Sequence, residues 1–282
     1  MTTQSTANSP YDAPLPEVVG AAKESSLRAL FVHSALQCKR LLTRWSRDPA
    51  TMIQALLYPA LTLLMFDIVL GDTITRATGA PAINGTVPMI ILVGAMYGSI
   101  ASGVGLREEA AKGLLGRFWT LPTHRAAGLL GRLMAEAIRV VITSLLILLI
   151  GILLGFRFTQ GPIEFLGFIA LPVLFGIAFS TFVTFLASGK AAQAGLVELV
   201  SILCTLMMFF NTGFVPLQAY PRDLQGVVGN QPMSVTIDAM RAMAVGGDVF
   251  EPAMKSLAWS LGLILVFTIP AIIGYRSAAR RS

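Results

Sequence analysis

Six stretches of the chain are almost wholly apolar over about 20 residues each, the length that crosses the ~30 Å hydrocarbon core of a bilayer. They cover 50–70, 87–106, 133–156, 165–187, 195–213 and 254–275. Only "SGKAAQA" separates the fourth from the fifth, which predicts a tight turn between antiparallel neighbours. The pattern therefore predicts an all-α polytopic membrane protein with six transmembrane helices in residues 48–282. Gly94, Gly98 and Ser102 put small residues every four positions on the second span, a spacing that lets another helix backbone approach closely in lipid. Pro59 and Pro172 are expected to kink the first and fourth spans.

Three intervals break this pattern. Before the first span, "LRALFVHSALQCKRLLTRWSRDP" places Leu27, Leu30, Phe31, Ala35, Cys38, Leu41, Leu42 and Trp45 on one helical stripe. Arg28, Lys39, Arg40, Arg44 and Arg47 fall on the other side. Residues 26–47 thus predict an amphipathic helix lying flat in the headgroup region, its cations toward anionic lipid. The alternative is the same helix packed on protein. The second interval, "REEAAKGLLGRFWTLP", concentrates charge between spans two and three. On a helical wheel, Ala110, Ala111, Leu114, Leu115 and Phe118 share one arc, with Trp119 at its border. Glu109, Lys112, Gly113, Gly116 and Arg117 occupy the opposite arc, so one interfacial helix over about 107–121 is expected. Its glycines would let another backbone approach, and Glu108 and Glu109 would favour its N-terminus.

The third interval runs from Asn211 to Pro252. It is too long for a turn and too polar to span twice. Helix-like stretches at about 221–229 and 234–245 are broken at Asn230-Gln231-Pro232. A re-entrant hairpin over about 214–252, dipping into the membrane but buried against protein, would satisfy its backbone. The alternative is an ordinary extracellular loop.

Composition sharpens the picture. The chain has 282 residues, 55% hydrophobic and 13% charged, against roughly 25% charged in soluble domains. The first 25 residues are Ser/Thr/Pro-rich without an apolar run, and read as a disordered tail. A net charge of +6 invites a nucleic-acid partner, but the basic residues collect at the ends of apolar runs, as membrane topology requires. With the N-terminus inside, only Arg76, Arg157, Arg222, Arg241 and Lys255 of the 21 Lys and Arg fall outside. Both termini are therefore expected on the cytoplasmic side, with no nucleic-acid partner.

Catalytic chemistry has no constellation here. His33 and His124 are far apart in sequence, and Cys38 and Cys204 form no metal or redox spacing. The only Gly-Lys, Gly189-Lys190, lacks the rest of the phosphate-cradling loop, so any ATP and Mg would be held by a separate ATPase. Glu136 has Arg132 and Arg139 within one turn and reads as a local pair near the inner interface. Asp67 lies near a span end, and Glu198, without an adjacent partner in sequence, is the candidate functional carboxylate. An ion-gradient carrier would need midplane ionisable groups or repeated broken helices, and an intramembrane lipid-modifying enzyme would need clustered His, Asp or Cys. Neither pattern is visible.

A flat N-terminal helix, six spans, a charged helix after span two and a hairpin before span six resemble the type-2 ABC exporter permeases. "RLLTRWSRD", "REEAAKGLLGRFWTLPTHRAAGLLGR", "NTGFVPLQAYP" and "NQPMSVTIDAMRAMAVGG" are similar to the C permease of the mycobacterial daunorubicin-resistance-like exporters. That resemblance implies a plasma-membrane permease that pairs with a second, non-identical permease and two copies of an ABC ATPase. The cargo it implies is a hydrophobic drug or a complex lipid such as phthiocerol dimycocerosate. It also implies that 107–121 is the coupling helix, with Arg107, Glu108, Glu109, Lys112, Gly113, Gly116, Arg117, Phe118 and Trp119 facing the ATPase. The family's common Gly-Thr-Leu after the acidic motif reads Gly113-Leu114-Leu115 here. Tyr97, Glu198, Met207, Met208, Phe209 and Phe210 would line the cargo pathway. Pro216, Pro221, Asn230, Gln231, Pro232, Asp238 and Arg241 would form the outer gate.

Overall fold

The computed structural model describes residues 26–48, 53, 57–120, 123–124, 126–188 and 196–281. The N-terminal tail, most of 49–56 and the turn at 189–195 lie outside the described residues. Among the described residues the regular structure is helical throughout, with ten α-helices and one 3₁₀ turn at Leu217–Ala219.

In chain order the helices are α1 (Leu27–Ser46), α2 (Tyr58–Thr78), α3 (Ile83–Ala111), α4 (Leu114–Thr120) and α5 (Ala127–Leu153). They continue as α6 (Pro162–Ser188), α7 (Leu196–Phe209), α8 (Arg222–Asn230), α9 (Pro232–Val245) and α10 (Phe250–Arg281). Four of them, α3, α5, α6 and α10, are long and apolar enough to cross a membrane. By contrast, α2 carries Asp67, Asp72 and Arg76, and α7 has only 14 residues. Pro59 lies in the first turn of α2, where its missing N–H costs nothing, and most of the expected span before it lies outside the described residues.

At the centre, α3 is buried on nearly every side from Ile83 to Met96, which suits a helix apolar all round. It packs on α5, α6, α7 and α9, with α2 alongside. Val87, Ile90, Leu92, Phe156, Phe168, Phe175 and Met240 belong to one continuous core. Outward faces of α2, α5, α7 and α10 expose Leu61, Ile68, Leu149, Leu203, Leu206, Leu265 and Val266, as a lipid-facing bundle requires.

The amphipathic first helix begins at Ser26, whose Oγ accepts the Ala29 N–H at 3.1 Å. Its buried residues are Ala29, Ser34, Cys38 and Leu41, and it lies against α5. The apolar stripe is thus divided. Cys38 and Leu41 pack with Ala135, while Leu27 and Phe31 remain exposed. The protein-packed alternative accounts for one face of α1, and the lipid-facing expectation suits the other.

At the opposite end, the two short helices anticipated around the Asn230-Gln231-Pro232 break are α8 and α9. Pro232 occupies the first turn of α9, and Gln231 precedes it in extended conformation. Between Met233 and Ala244, nine residues of α9 are buried, and it packs against α3, α6 and α10. Thr236 and Ser256 share a hydrogen bond of 2.7 Å. Only Val228 of α8 is buried.

Candidate functional site

The expected helix over 107–121 is two pieces. Arg107–Ala111 form the last turn of α3, and the chain then turns at Gly113, whose φ is +69°. A left-handed residue closes a helix, and only glycine enters that region without the Cβ clash. Gly113 therefore breaks the helix, where the wheel had put it on a continuous polar face. Glu108 and Glu109 stand at the C-terminal end of α3, and not at the N-terminus of a new helix.

The seven residues of α4 are seated by Leu115, which is buried with Leu106 of α3 and Ala187 of α6. Tyr275 and Ala278 of α10 and Ala110 complete this small cluster. The ends of three long helices are thereby tied to one short helix. Glu108, Lys112 and Arg117 are exposed around it, while Arg107, Gly113 and Gly116 are half-buried. The side chains of Phe118 and Trp119 lie outside the described residues.

Glu109 departs most from expectation. Its side chain is 1% exposed, with Arg132 Nη2 at 2.6 Å from Oε2, and Arg40 and Arg44 at 3.1 and 3.3 Å from Oε1. Arg132 also donates to the Ser102 carbonyl at 3.0 Å. One turn further along α5, Glu136 is fully buried and paired with Arg139. Ser99 donates to Glu136 at 2.8 Å, and Arg139 donates to the carbonyls of Gly94 and Ala95 at 3.2 and 3.3 Å. Trp45 of α1 lies 5.9 Å from the Arg139 guanidinium carbon. Arg132, Glu136 and Arg139, spaced four and three apart, share one face of α5.

The small-residue row of α3 admits these arginines. A Cβ at Gly98 would overlap the Arg139 guanidinium, and Ser102 accepts from Arg132. Sequence reasoning recognised the Glu136–Arg139 spacing but put it at the interface as a local pair. It missed Glu109–Arg132 altogether, because 23 positions separate them. His33 and His124, expected apart, also meet: the His124 N–H donates to His33 Nδ1 at 3.1 Å.

Beside this network a cavity of about 670 Å³ opens between α1, α2, α3, α5 and α7. Trp45, Tyr58 and Tyr97 line it together with Arg44, Arg132 and Arg139. Tyr97 packs edge-on to Tyr58, and its hydroxyl meets Thr205 of α7 at 3.0 Å. Of the other pathway candidates, Met208 is buried, Met207 is half-buried against the core, and Phe209 and Phe210 are exposed. The side chain of Glu198 lies outside the described residues.

The hairpin candidates are held by main-chain contacts. Pro216 and Pro221 precede the 3₁₀ turn and α8. Asn230 ends α8, and its carbonyl accepts Trp259 Nε1 at 2.8 Å. Gln231 donates to Ser234 Oγ at 3.1 Å and to the Phe210 carbonyl. Asp238 pairs with Arg241 at 2.5 Å, and Arg241 reaches the Thr212 carbonyl at 3.1 Å. These groups fasten α9 to the segment after α7.

Among the described residues no group of three or more His, Cys, Asp and Glu is arranged to hold a metal. The arrangement can seat a partner at one end, transmit displacement along long helices, and border an aromatic and cationic cavity.

Comparison with known proteins agrees with this architecture. Residues 34–245 match the family described as ABC-2 type transporter. The chain is 42% identical to the probable doxorubicin resistance ABC transporter permease protein DrrC of Mycobacterium tuberculosis (strain CDC 1551 / Oshkosh). That alignment covers 91% of this chain and 92% of the relative. It is 28% identical to the daunorubicin resistance ABC transporter permease protein DrrB1 of Streptomyces coeruleorubidus, over 91% of each. The doxorubicin resistance permease DrrB of M. tuberculosis (strain CDC 1551 / Oshkosh) is 24% identical over 66% of each. With a family match across most of its length and helices built to cross a membrane, the chain belongs to the ABC-2 type transporter permeases, as a multi-pass membrane protein.

Proposed function

We propose that this chain is the membrane subunit of an exporter that carries a hydrophobic drug or complex lipid across the plasma membrane. A separate ABC ATPase, present in two copies with its ATP and Mg, supplies the energy, and a second, non-identical permease completes the pathway. The observation that carries the reading is α4, a short helix with charged surroundings seated on the ends of α3, α6 and α10. Force applied there by a soluble partner reaches three long helices at once. Relatives named for doxorubicin and daunorubicin resistance support an amphipathic cargo.

In this reading α2 and α7 complete six spans, α9 is a re-entrant helix beneath the outer surface, and both termini are cytoplasmic. Burial of α9 among α3, α6 and α10 supports the re-entrant assignment, since a helix in lipid needs its polar groups satisfied by protein. The cavity beside Tyr58 and Tyr97 is the cargo entrance.

The test is co-expression with the ATPase and second permease. Charge reversal at the exposed positions, Glu108→Lys with Lys112→Glu, should reduce ATPase recovery while the chain still inserts. Recovery and ATP-dependent export equal to wild type would overturn the assignment of this end as the docking site.

A further inference from the structure

The acidic motif Arg107-Glu108-Glu109 divides between two directions. Successive residues on a helix point about 100° apart, so Glu109 turns inward and Glu108 outward, with Arg44 reaching both at 3.3 Å. Glu108 is half exposed, near Arg44 and Lys112 at the molecular surface. Both oxygens of Glu109 are taken by arginines from α1 and α5. A partner's cation could reach it only by displacing one of them.

We infer that Glu109 is a positioning residue internal to the permease, which fastens α1 and α5 to α3 so that the three move as one body. The inference rests on the docking role of the 107–120 end. Displacement of α4 enters α3 through Gly113, next to which Glu109 is the first fully buried charged group. Arg132 is gripped at two points on one face of α3, by Glu109 and, two turns earlier, by the Ser102 carbonyl. Further along, Arg139 spans from Glu136 to the Gly94 and Ala95 carbonyls and lies near Trp45 of α1. The contacts from α1 come from the half-exposed Arg40 and Arg44, so the α1 joint depends on Glu109 more than the α5 joint does. The division also explains why adjacent carboxylates in one motif differ so sharply in exposure.

The experiment uses the permease assembled with its ATPase and second permease in phospholipid vesicles. Spin labels replace the exposed Lys39 on α1 and Val104 on α3, and their separation is read with and without ATP. In the otherwise unaltered protein the distance should be single-peaked and independent of nucleotide. Glu109→Gln should broaden it and make it nucleotide-dependent, while ATPase recovery changes less than about twofold. Glu108→Lys should instead lower recovery by about tenfold with the distance unchanged, as expected for a charge on the rim of an interface.

Should Glu109→Gln fail to fold, Arg40→Gln with Arg44→Gln removes the α1 joint and leaves Glu109 paired with Arg132. An unchanged distance in that variant, or loss of ATPase recovery on Glu109→Gln equal to that on Glu108→Lys, overturns the inference. If no ATPase is recovered with the unaltered chain, the docking reading fails. The label distance in the permease alone then still tests the joint.

Discussion

Gly98 is where a single missing Cβ decides what the bundle can contain. Arg139 enters the space beside it, and any side chain there would overlap the guanidinium. Gly98→Ala should therefore drive Arg139 from its two carbonyls and from Glu136. Breaking a buried pair costs about 3–5 kcal/mol, read as a lowered melting temperature in detergent. Gly105 on the same helix has open space around its absent Cβ. Gly105→Ala should be neutral or gain up to about 1 kcal/mol of helix propensity. Equal melting temperatures for the two variants would remove Arg139 from the account. The row Gly94, Gly98, Ser102 was legible as a place of close approach. Nothing local specified whether a backbone or an arginine would arrive, since that depends on how α5 is rotated against α3.

At the scale of elements, the most consequential joint is the one between α3 and α4. Gly113→Ala puts a Cβ into the left-handed region, which costs about 1–2 kcal/mol and favours continuing α3 past Ala111. Insertion should be unaffected, while ATPase recovery falls because α4 leaves its seat. Leu115→Ala attacks the same seat from the other side. Loss of a buried leucine costs about 2–5 kcal/mol, and it should uncouple the complex with the same signature. Pull-down of the ATPase alongside membrane fractionation separates both outcomes from simple misfolding. The long apolar helices were legible because length and apolarity in lipid are themselves the signal. The α8–α9 break was legible because proline at a first helical position is a local stop and start. The α3–α4 break was not: its glycine fitted an amphipathic wheel as well as a turn, and only backbone sign distinguishes them.

For the whole molecule, the proposed topology makes a labelling prediction. In a background where Cys38 and Cys204, both buried, are replaced by Ala, Lys112→Cys and Arg28→Cys should react with an impermeant maleimide from the cytoplasmic side. Arg222→Cys on α8 should react from the other side. Labelling of Arg222→Cys and Lys112→Cys from the same side would overturn the span count. The distribution of lysine and arginine carried this expectation before any fold was known, since charge at loop ends responds to the insertion machinery. The ionic network within the bundle left no comparable trace. Its partners lie on α1, α3 and α5, and a pairing across three helices has no period in the sequence.

That network also bears on the order in which the protein is made. In its first half α5 carries Arg132, Glu136 and Arg139, and each arginine would be a burden of about 2.5–3.5 kcal/mol if it entered the centre of a bilayer alone. Glu136 and Arg139 pair within α5 itself, but their other partners, Trp45, the Gly94 and Ala95 carbonyls and Ser99, and the Glu109 that holds Arg132, are all translated earlier. When α5 emerges from the ribosome, the counter-charge of Arg132 and the acceptors of Arg139 are already waiting at the membrane. Deleting the first helix should therefore harm the biogenesis of a segment more than 80 residues downstream.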